Sequence, residues 1–175
     1  MKFLVVVDMQ NDFVDGCLGT KEAQAISEDI AAMMKEWDGA VLCTYDTHQE
    51  DYLDTLEGHY LPVKHCVKDT DGWQLCPAVE AAAAEVGAVR VMKPAFGSVE
   101  LPQMIGMMCG FGQKPEEIHL VGVCTDICVI SNAMMLKAFC RETPVYVHKD
   151  LCAGVTPEQH EAALTAMKPC QIEVI

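Results

Sequence analysis

The sequence predicts a Rossmann-like, three-layer α/β/α sandwich built around a six-stranded parallel β-sheet. Short runs rich in β-branched residues alternate along the chain with longer stretches of helical periodicity, which is the pattern of βαβ units. Several of the short runs are apolar on both faces, as expected of parallel strands that are buried between two helical layers. The 175 residues suit one domain spanning residues 1–175.

The N-terminal part of the chain predicts two strands, one helix and an insertion. "KFLVVVD" (2–8) and "AVLCTYD" (40–46) are apolar runs that each end in aspartate. Between them, residues 27–37 carry apolar side chains at helical spacing after a Ser27 cap, which predicts a helix whose apolar stripe faces the core. Residues 47–75 are rich in turn formers, charges and histidines and are predicted to form a functional insertion near the strand ends.

The C-terminal part continues the alternation of helices and strands. Gly87 closes an alanine-rich helix, Pro102 and several glycines weaken the next one, and Thr156 with Pro157 opens the last. The helix at 125–142 is nearly all apolar and is therefore predicted to be buried. The predicted helices are 75–87, 98–112, 125–142 and 156–168, and the predicted strands are 88–93, 117–123, 144–150 and 171–175.

Polar residues collect where these strands end. In open parallel sheets, ligands bind outside the carboxyl ends of the strands, where the connectivity reverses. Five features of the sequence fall at or just beyond such ends: Asp8, Asp46, Lys93, the segment 122–128 and Asp150. The sequence therefore predicts a functional site at this edge of the sheet.

The composition narrows the classes of partner. A formal charge of −14 repels phosphate backbones and anionic lipid surfaces, so nucleic-acid and membrane partners are not expected. Neither an export signal nor a run of apolar residues long enough to span a membrane is evident, and a cytoplasmic location is expected. Ten cysteines sit singly in apolar segments, where reduced thiols act as small hydrophobic side chains.

The stretch "VGVCTDICVISN" (121–132) raises the question of what its two cysteines do. If Thr125 caps the following helix, Cys128 lies in the first turn, where the helix dipole favours a thiolate. Lys93 can add a positive charge and Asp8 can carry protons, so Cys128, Lys93 and Asp8 form a candidate catalytic set. The alternative is that Asp8 is a cap, Lys93 a solvated strand end and Cys128 a core thiol.

Six ordered motifs resemble those of the nicotinamidase and isochorismatase-like cysteine hydrolase superfamily. They are "VVVDMQNDF", "TYDTH", "PVKHC", "DTDGW", "KPAFGS" and "GVCTDICV". The resemblance covers nearly the whole chain, and it implies the isochorismatase-like hydrolase fold. It also implies that Asp8, Lys93 and Cys128 form a catalytic triad, and that the Val123–Cys124 peptide is cis. In such an arrangement the backbone N–H groups of Cys124 and Cys128 form an oxyanion hole.

A metal site is predicted beside this triad. Asp46 and His48 are two apart at a strand end, where side chains i and i+2 point the same way, and His65 supplies a third ligand. A divalent metal ion, with zinc as the expected metal, would keep open positions for water and a substrate ring nitrogen. Nicotinamidases often have another histidine after the Asp-x-His pair. This chain instead offers Asp54, Glu57 and His59, and the alternative is a turn cap with ordinary loop histidines.

The resemblance implies a cysteine-dependent amidohydrolase that cleaves a small primary amide such as nicotinamide through a thioester and releases ammonia. Phe13 and Trp73 are candidates to sandwich a flat substrate. The alternatives are a carbamoyl or ureido C–N hydrolase, an isochorismatase, and a non-catalytic thiol-rich binding or redox protein of the same fold. A homo-oligomer is a further expectation, since "LPQMIGMMCGFG" (101–112) can form an exposed apolar interface.

Overall fold

The computed structural model describes residues 1–175 and contains a parallel sheet of six strands. Their order across the sheet is β3-β2-β1-β4-β5-β6, so the connectivity reverses between β1 and β4. Every neighbouring pair is parallel, which confirms the predicted sheet. The strands are β1 (Lys2–Val7), β2 (Ala40–Asp46), β3 (Val89–Lys93), β4 (Glu117–Val123), β5 (Val145–Ala153) and β6 (Glu173–Val174).

Seven α-helices cover both faces of the sheet, which confirms the three layers. Two of them, α2 and α4, pack on one face, while α5, α6 and α7 pack on the other. Short 3₁₀ turns lie at Tyr52–Asp54, Asp71–Trp73 and Lys168–Cys170. The α-helices are α1 (Asn11–Val14), α2 (Lys21–Glu36), α3 (Leu56–Tyr60), α4 (Pro77–Val86), α5 (Glu100–Cys109), α6 (Ile130–Phe139) and α7 (Pro157–Met167).

The central strand β1 explains why the sequence there is continuously apolar. Leu4 and Val6 pack against α2 and α4, whereas Phe3, Val5 and Val7 pack in the opposite layer. Each of these side chains is fully buried. A strand buried on both faces must be apolar at every position, so the first polar side chain after it, Asp8, is at the sheet's carboxyl edge.

The helix predicted at 27–37 is longer than expected. It begins at Lys21, because the hydroxyl of Thr20 accepts a hydrogen bond from the Ala23 N–H at 3.0 Å and caps it. Ser27, predicted to be the cap, lies inside the helix, and its hydroxyl donates to the Gln24 carbonyl. Buried Ala23 and Ile26 extend the apolar stripe into the added turn.

The prediction that Asp150 lies at a strand end is wrong. The β4–β5 register shifts so that Leu120 pairs with Val147 but Gly122 pairs with Cys152. Such an irregularity inserts extra residues into one strand. Consequently β5 continues to Ala153, and Asp150 lies exposed within it, away from the other polar strand ends.

Gly122 marks the point where the connectivity reverses. Its φ is +113°, and a β-carbon placed there would lie 2.2 Å from the Val7 carbonyl oxygen. Only glycine allows β4 to approach β1 this closely. None of the helices is both long and apolar enough to cross a membrane.

Candidate active site

Asp8 is the first element of the site and is held by its neighbouring strand. It leaves β1 with a φ of +48°, a left-handed conformation that is uncommon for a residue with a side chain. The Thr44 hydroxyl, on β2, donates to Asp8 Oδ1 at 2.6 Å and accepts from the Asp8 N–H at 3.1 Å. Both residues are fully buried, so Thr44 fixes the orientation of the carboxylate.

Lys93, at the end of β3, connects the predicted catalytic residues. Its Nζ lies 2.7 Å from Asp8 Oδ2, 3.2 Å from Asp46 Oδ1 and 3.5 Å from Cys128 Sγ. Burial lowers the pKa of Lys93, but the charges of Asp8, Cys128 and Asp46 outweigh this and hold the pKa well above its usual value. Lys93 is therefore a permanent cation within the site.

Asp8 is suited to accept and return a proton. Although Asp8 Oδ2 is close to Lys93, it has no aligned hydrogen-bond donor. Burial raises the pKa of the Asp8 carboxyl, and Asp46 adds to this, while Lys93 opposes it; the net shift is upward. A carboxylate with a raised pKa is more basic than one in water, as a general base requires.

Cys128 lies in a turn that differs from the predicted helix start. Residues Thr125–Val129 form a π-helical turn before α6, and Cys124 rather than Thr125 occupies the N-cap position. The Thr125 hydroxyl is instead 2.8 Å from His160 Nδ1. Cys128 is buried in this turn and is brought beside Lys93.

The surroundings of Cys128 oppose the effect of the helix dipole, which favours a thiolate. Burial raises the pKa of the Cys128 thiol well above its usual value, the Asp8 carboxylate raises it further, and Lys93 opposes them. The helix-dipole argument neglected the cost of a buried charge next to two carboxylates. The thiol is therefore protonated at neutral pH, and it needs a base before it can act as a nucleophile.

Two further features shape the backbone around Cys128. The Val123–Cys124 peptide is cis. The buried Asn132 side chain donates from Nδ2 to the Cys128 carbonyl at 2.8 Å and to the Phe96 carbonyl at 3.1 Å, and its Oδ1 accepts from the Ser98 N–H. Asn132 thus connects the turn that carries Cys128 to the loop that follows Lys93.

The three predicted metal ligands come together with a fourth residue, Glu57. Ligand atoms of Asp46, His48, Glu57 and His65 all lie within 4.8 Å of one another. Asp46 Oδ2 is 3.0 Å from His48 Nε2 and 3.5 Å from His65 Nε2. The sequence offered Asp54, Glu57 and His59 for the fourth position. Glu57, on α3, is the one that lies in the cluster.

The chemistry of this group fits a divalent cation. His65 Nδ1 is 2.7 Å from the Val63 carbonyl, which must accept the ring proton, so the lone pair of Nε2 faces the carboxylates. Glu57 Oε1 is buried without a hydrogen-bond partner. Two imidazoles and two carboxylates, one of which holds this orphaned oxygen, form a donor set suited to zinc or a similar ion.

The electrostatics of the same group are consistent with a bound cation. Burial lowers the pKa of His48, but the facing carboxylates of Asp46 at 3.0 Å and Glu57 at 3.4 Å outweigh it and raise the pKa to about 9. Burial opposes the ionisation of Asp46, yet His48 and Lys93 hold its pKa well below its usual range. The cluster therefore stabilises positive charge placed between the carboxylates.

A cavity of about 380 Å³ opens between the triad and the metal ligands. Buried Asp46, His65 and Cys128 contribute to its interior. The remaining lining is mostly apolar and includes Phe13, whose ring centroid is 5.3 Å from that of His65. This volume falls in the range of small-molecule sites.

The structure brings Phe13 to the cavity but not Trp73. Trp73 is buried in the core, and its ring packs against Tyr45 and Arg90. Its indole N–H donates to the Thr47 hydroxyl at 2.9 Å. Trp73 does not line the cavity, so its location gives no support to the predicted contact with substrate.

Sequence reasoning missed Thr44 and Asn132. Thr44 is two residues before Asp46 in β2 and so faces the same side of the sheet, a signal that could have identified it. No sequence pattern indicated Asn132, because two of its three partners lie in the loop after β3, far away in sequence.

The chain is similar over nearly its whole length to several known proteins. A family model described as "Isochorismatase domain" matches residues 2–175. An uncharacterized isochorismatase family protein PncA of Bacillus subtilis is 30% identical over 177 residues, covering 94% of this chain and 92% of that protein. A nicotinamidase/pyrazinamidase of Mycobacterium tuberculosis is 29% identical over 188 residues, covering 100% and 98%.

A solved structure extends this similarity to the fold. The pyrazinamidase of Pyrococcus horikoshii, crystallised in complex with zinc, superposes with a TM-score of 0.78 at 27% identity and covers 99% of this chain and 98% of its own. The family match, the two relatives and the fold agree with the family that the ordered motifs predict. The chain belongs to the isochorismatase family.

Proposed function

We propose that this protein is a metal-assisted cysteine amidohydrolase that converts a nicotinamide-like primary amide to its acid and ammonia. Hydrolysis of an amide C–N bond is the activity named for the relative from Mycobacterium tuberculosis. The observation that carries the proposal is the contact of Lys93 with both Asp8 and Cys128 beside a cavity of substrate size.

The proposed first half-reaction forms a thioester. Asp8 takes the thiol proton, and the Cys128 sulfur attacks the amide carbonyl carbon. The backbone N–H groups of Cys124 and Cys128 donate to the oxyanion of the tetrahedral intermediate. The C–N bond then breaks as Asp8 returns its proton to the leaving nitrogen, so ammonia departs and an acyl group remains on Cys128.

The second half-reaction restores the thiol. Asp8 takes a proton from a water molecule, whose oxygen attacks the thioester carbonyl. The C–S bond breaks, the carboxylic acid leaves, and the proton passes from Asp8 to the Cys128 sulfur. Lys93 keeps its charge throughout and offsets the negative charge that moves between Asp8 and Cys128.

Asp46, His48, Glu57 and His65 would hold the metal ion, with zinc proposed because it occurs in the Pyrococcus horikoshii pyrazinamidase. A bound divalent cation supplies a Lewis-acid position for a ring nitrogen or a water molecule. Phe13 then packs against the flat ring beside His65, which orients the carboxamide toward Cys128.

The cavity lining argues against the alternative substrates. It contains no lysine or arginine, and a divalent ion bound there already faces the carboxylates of Asp46 and Glu57, so little positive charge is left for the two carboxylates of isochorismate. A small ureido compound would leave most of the apolar lining in contact with water. A neutral aromatic amide adds no negative charge to the cavity, and its ring covers the apolar lining.

The test measures ammonia release from nicotinamide by the zinc-loaded protein and its variants. Cys128→Ser should lower kcat by at least about 1,000-fold, as expected when a nucleophile is lost. Cys124→Ser retains its backbone N–H and should keep most of the activity. A covalent acyl adduct on Cys128, seen by rapid-quench mass spectrometry, would support the thioester; full activity of Cys128→Ser would refute the mechanism.

The fourth metal ligand is tested by zinc titration of the metal-free protein. Glu57→Gln should weaken zinc binding by roughly 10- to 100-fold, the range seen when a group that supports a metal site is lost. Asp54→Asn and His59→Gln are controls, since they alter the other two residues that the sequence offered. Equal losses in all three variants would show that Glu57 has no special role.

A further inference from the structure

The cavity next to Cys128 has an exposed apolar entrance. Four residues that line it are large, apolar and open to solvent: Tyr60, Leu61, Phe96 and Val155, exposed by 84%, 36%, 43% and 47%. We call these four residues the apolar rim. Its members come from three separate segments, namely the end of α3, the β3–α5 loop and the β5–α7 loop.

The apolar rim is too concentrated to be incidental. Single exposed apolar residues are common on protein surfaces, but a cluster at the mouth of a cavity marks a binding surface. Phe96 is anchored from behind, because its carbonyl accepts from the buried Asn132 amide. The Leu61 carbonyl accepts from the Tyr52 hydroxyl at 3.0 Å, so backbone on both sides of the entrance is fixed.

The charge of the cavity restricts what can lie against this rim. Its ionisable lining consists of Asp46, Glu57, His65 and the thiols of Cys124 and Cys128. The nearby cation, Lys93, is fully buried and occupied by Asp8 and Asp46. The Asp46 and Glu57 carboxylates offset the charge of a divalent ion bound between them, and the rim itself has no lysine or arginine. A carboxylate or phosphate that lies against the rim would therefore lose its hydration without gaining a cationic side chain.

We propose that the substrate is a neutral heteroaromatic primary amide enlarged by an apolar substituent, which packs against the apolar rim while the carboxamide reaches Cys128. This inference rests on the amidohydrolase function proposed above and specifies its substrate class. The interior holds the reacting amide and its ring, and Tyr60, Leu61, Phe96 and Val155 determine specificity by covering the substituent.

The first experiment compares ring-substituted amides with the zinc-loaded enzyme. The probes are nicotinamide, its ring-methyl and ring-propyl derivatives, quinoline-3-carboxamide, and nicotinamide bearing a ring carboxylate. Each methylene that becomes buried should raise kcat/KM by about fourfold, corresponding to about 0.8 kcal/mol. The best apolar derivative should therefore exceed nicotinamide by at least about tenfold, and the carboxylate derivative should be the poorest substrate.

The outcomes separate this inference from the function on which it rests. Turnover of nicotinamide with slower turnover of every enlarged apolar amide would overturn the substrate class and leave the amidase intact. Absence of ammonia release from all neutral amides would overturn both. Preferential turnover of the carboxylate derivative would also contradict the charge argument.

Variants of the rim provide the second experiment. Tyr60→Ser and Phe96→Ser should each lower the ratio of kcat/KM for the propyl derivative to kcat/KM for nicotinamide by about tenfold. Leu56→Ser is the matched control, because Leu56 is on the same helix, is 75% exposed and does not line the cavity. Equal effects on both substrates, or a change in sedimentation mass without a change in preference, would overturn the proposal.

Discussion

Asn132 joins the two segments that carry Lys93 and Cys128, and its side chain makes three hydrogen bonds to backbone groups there. The carbonyl of Cys128 is one of its partners, so the amide would act through the position of the proposed nucleophile rather than by touching substrate. We infer that it is a positioning residue. A displacement of the reacting sulfur by about 1 Å can lower a rate by about 100-fold.

Asn132→Ala should therefore lower kcat by about 10- to 100-fold and slow alkylation of Cys128 by iodoacetamide. Thr143→Val is the control, since it also removes a buried hydrogen bond, to the Pro115 carbonyl, but at the opposite end of the sheet. Both variants should lose about 1–3 kcal/mol of unfolding free energy. If both also slow alkylation equally, Asn132 contributes to stability alone.

At the scale of secondary-structure elements, β4 and β5 meet at a histidine pair outside the site. His119 Nδ1 lies 2.7 Å from His148 Nε2, and the Tyr146 ring packs on His119. On the other side of His119, Glu117 Oε1 is 3.6 Å from Nε2, and Trp37 covers the ring. Burial and the adjacent His119 lower the pKa of His148 to about 4.

This pair predicts a loss of stability in acid. Between the unfolded pKa of about 6.5 and the folded pKa of about 4, the unfolded chain binds a proton at His148 that the folded chain does not. Stability therefore falls as pH decreases through this window. Because the histidine is only partly buried, we expect a contribution of roughly 1–2 kcal/mol.

Denaturant unfolding of the wild type and of His148→Gln at pH 7.5 and 4.5 measures this contribution. The wild type should lose more stability between the two pH values than the variant, whose remaining acid sensitivity comes from other groups. If the two proteins lose the same unfolding free energy between pH 7.5 and 4.5, His148 does not contribute to the acid sensitivity.

Most strands and helices could be predicted, because burial imposes an apolar pattern on the local sequence, as in the fully apolar β1. The Thr20 start of α2 could have been found, since Ala23 and Ile26 continue the helical stripe. The extension of β5 through Asp150 could not have been predicted, because it depends on the pairing of Gly122 with Cys152 rather than on the local sequence pattern.

Within the site, the triad residues could be predicted from their positions after apolar strands and from the motif resemblance. The upward shift of the Cys128 pKa could not be predicted, because it depends on how closely Asp8 approaches and how little water reaches the thiol. The sequence could not single out Glu57 from Asp54 and His59 as the fourth ligand. The choice depends on the short turns at Tyr52–Asp54 and α3, which determine which side chain faces His48.

At the scale of the whole molecule, metal binding should stabilise the fold. The four ligands come from β2, the following loops and α3, so a bound ion ties the insertion to the sheet. At a metal concentration 100 times Kd the gain is about 2.7 kcal/mol, equivalent to roughly 5–11 °C in Tm for a chain of this size.

Differential scanning fluorimetry with zinc and with a chelator measures this shift. The wild type should show the difference in Tm, and Glu57→Gln should show less of it at the same zinc concentration. An unchanged Tm on chelation of the wild type would exclude a stabilising metal site.

Three properties of the whole molecule stay predictions from the sequence: its location, its classes of partner and its oligomeric state. The cytoplasmic location, the lack of nucleic-acid and membrane partners, and the homo-oligomer rest on charge and composition. Met107 and Phe111 of the segment 101–112 are largely exposed, as the oligomer expectation requires, but no partner is identified by that exposure.

The one-turn helix α3 carries Glu57 toward the metal ligands and Tyr60 toward the cavity entrance. Both side chains project from the same capped turn, so a displacement of α3 that moves one of them also moves the other. Ion and substrate would then bind cooperatively, and linkage requires each to raise the affinity of the other by the same factor. The affinity for substrate would thus depend on zinc occupancy, so the enzyme would bind its substrate more weakly where zinc is scarce.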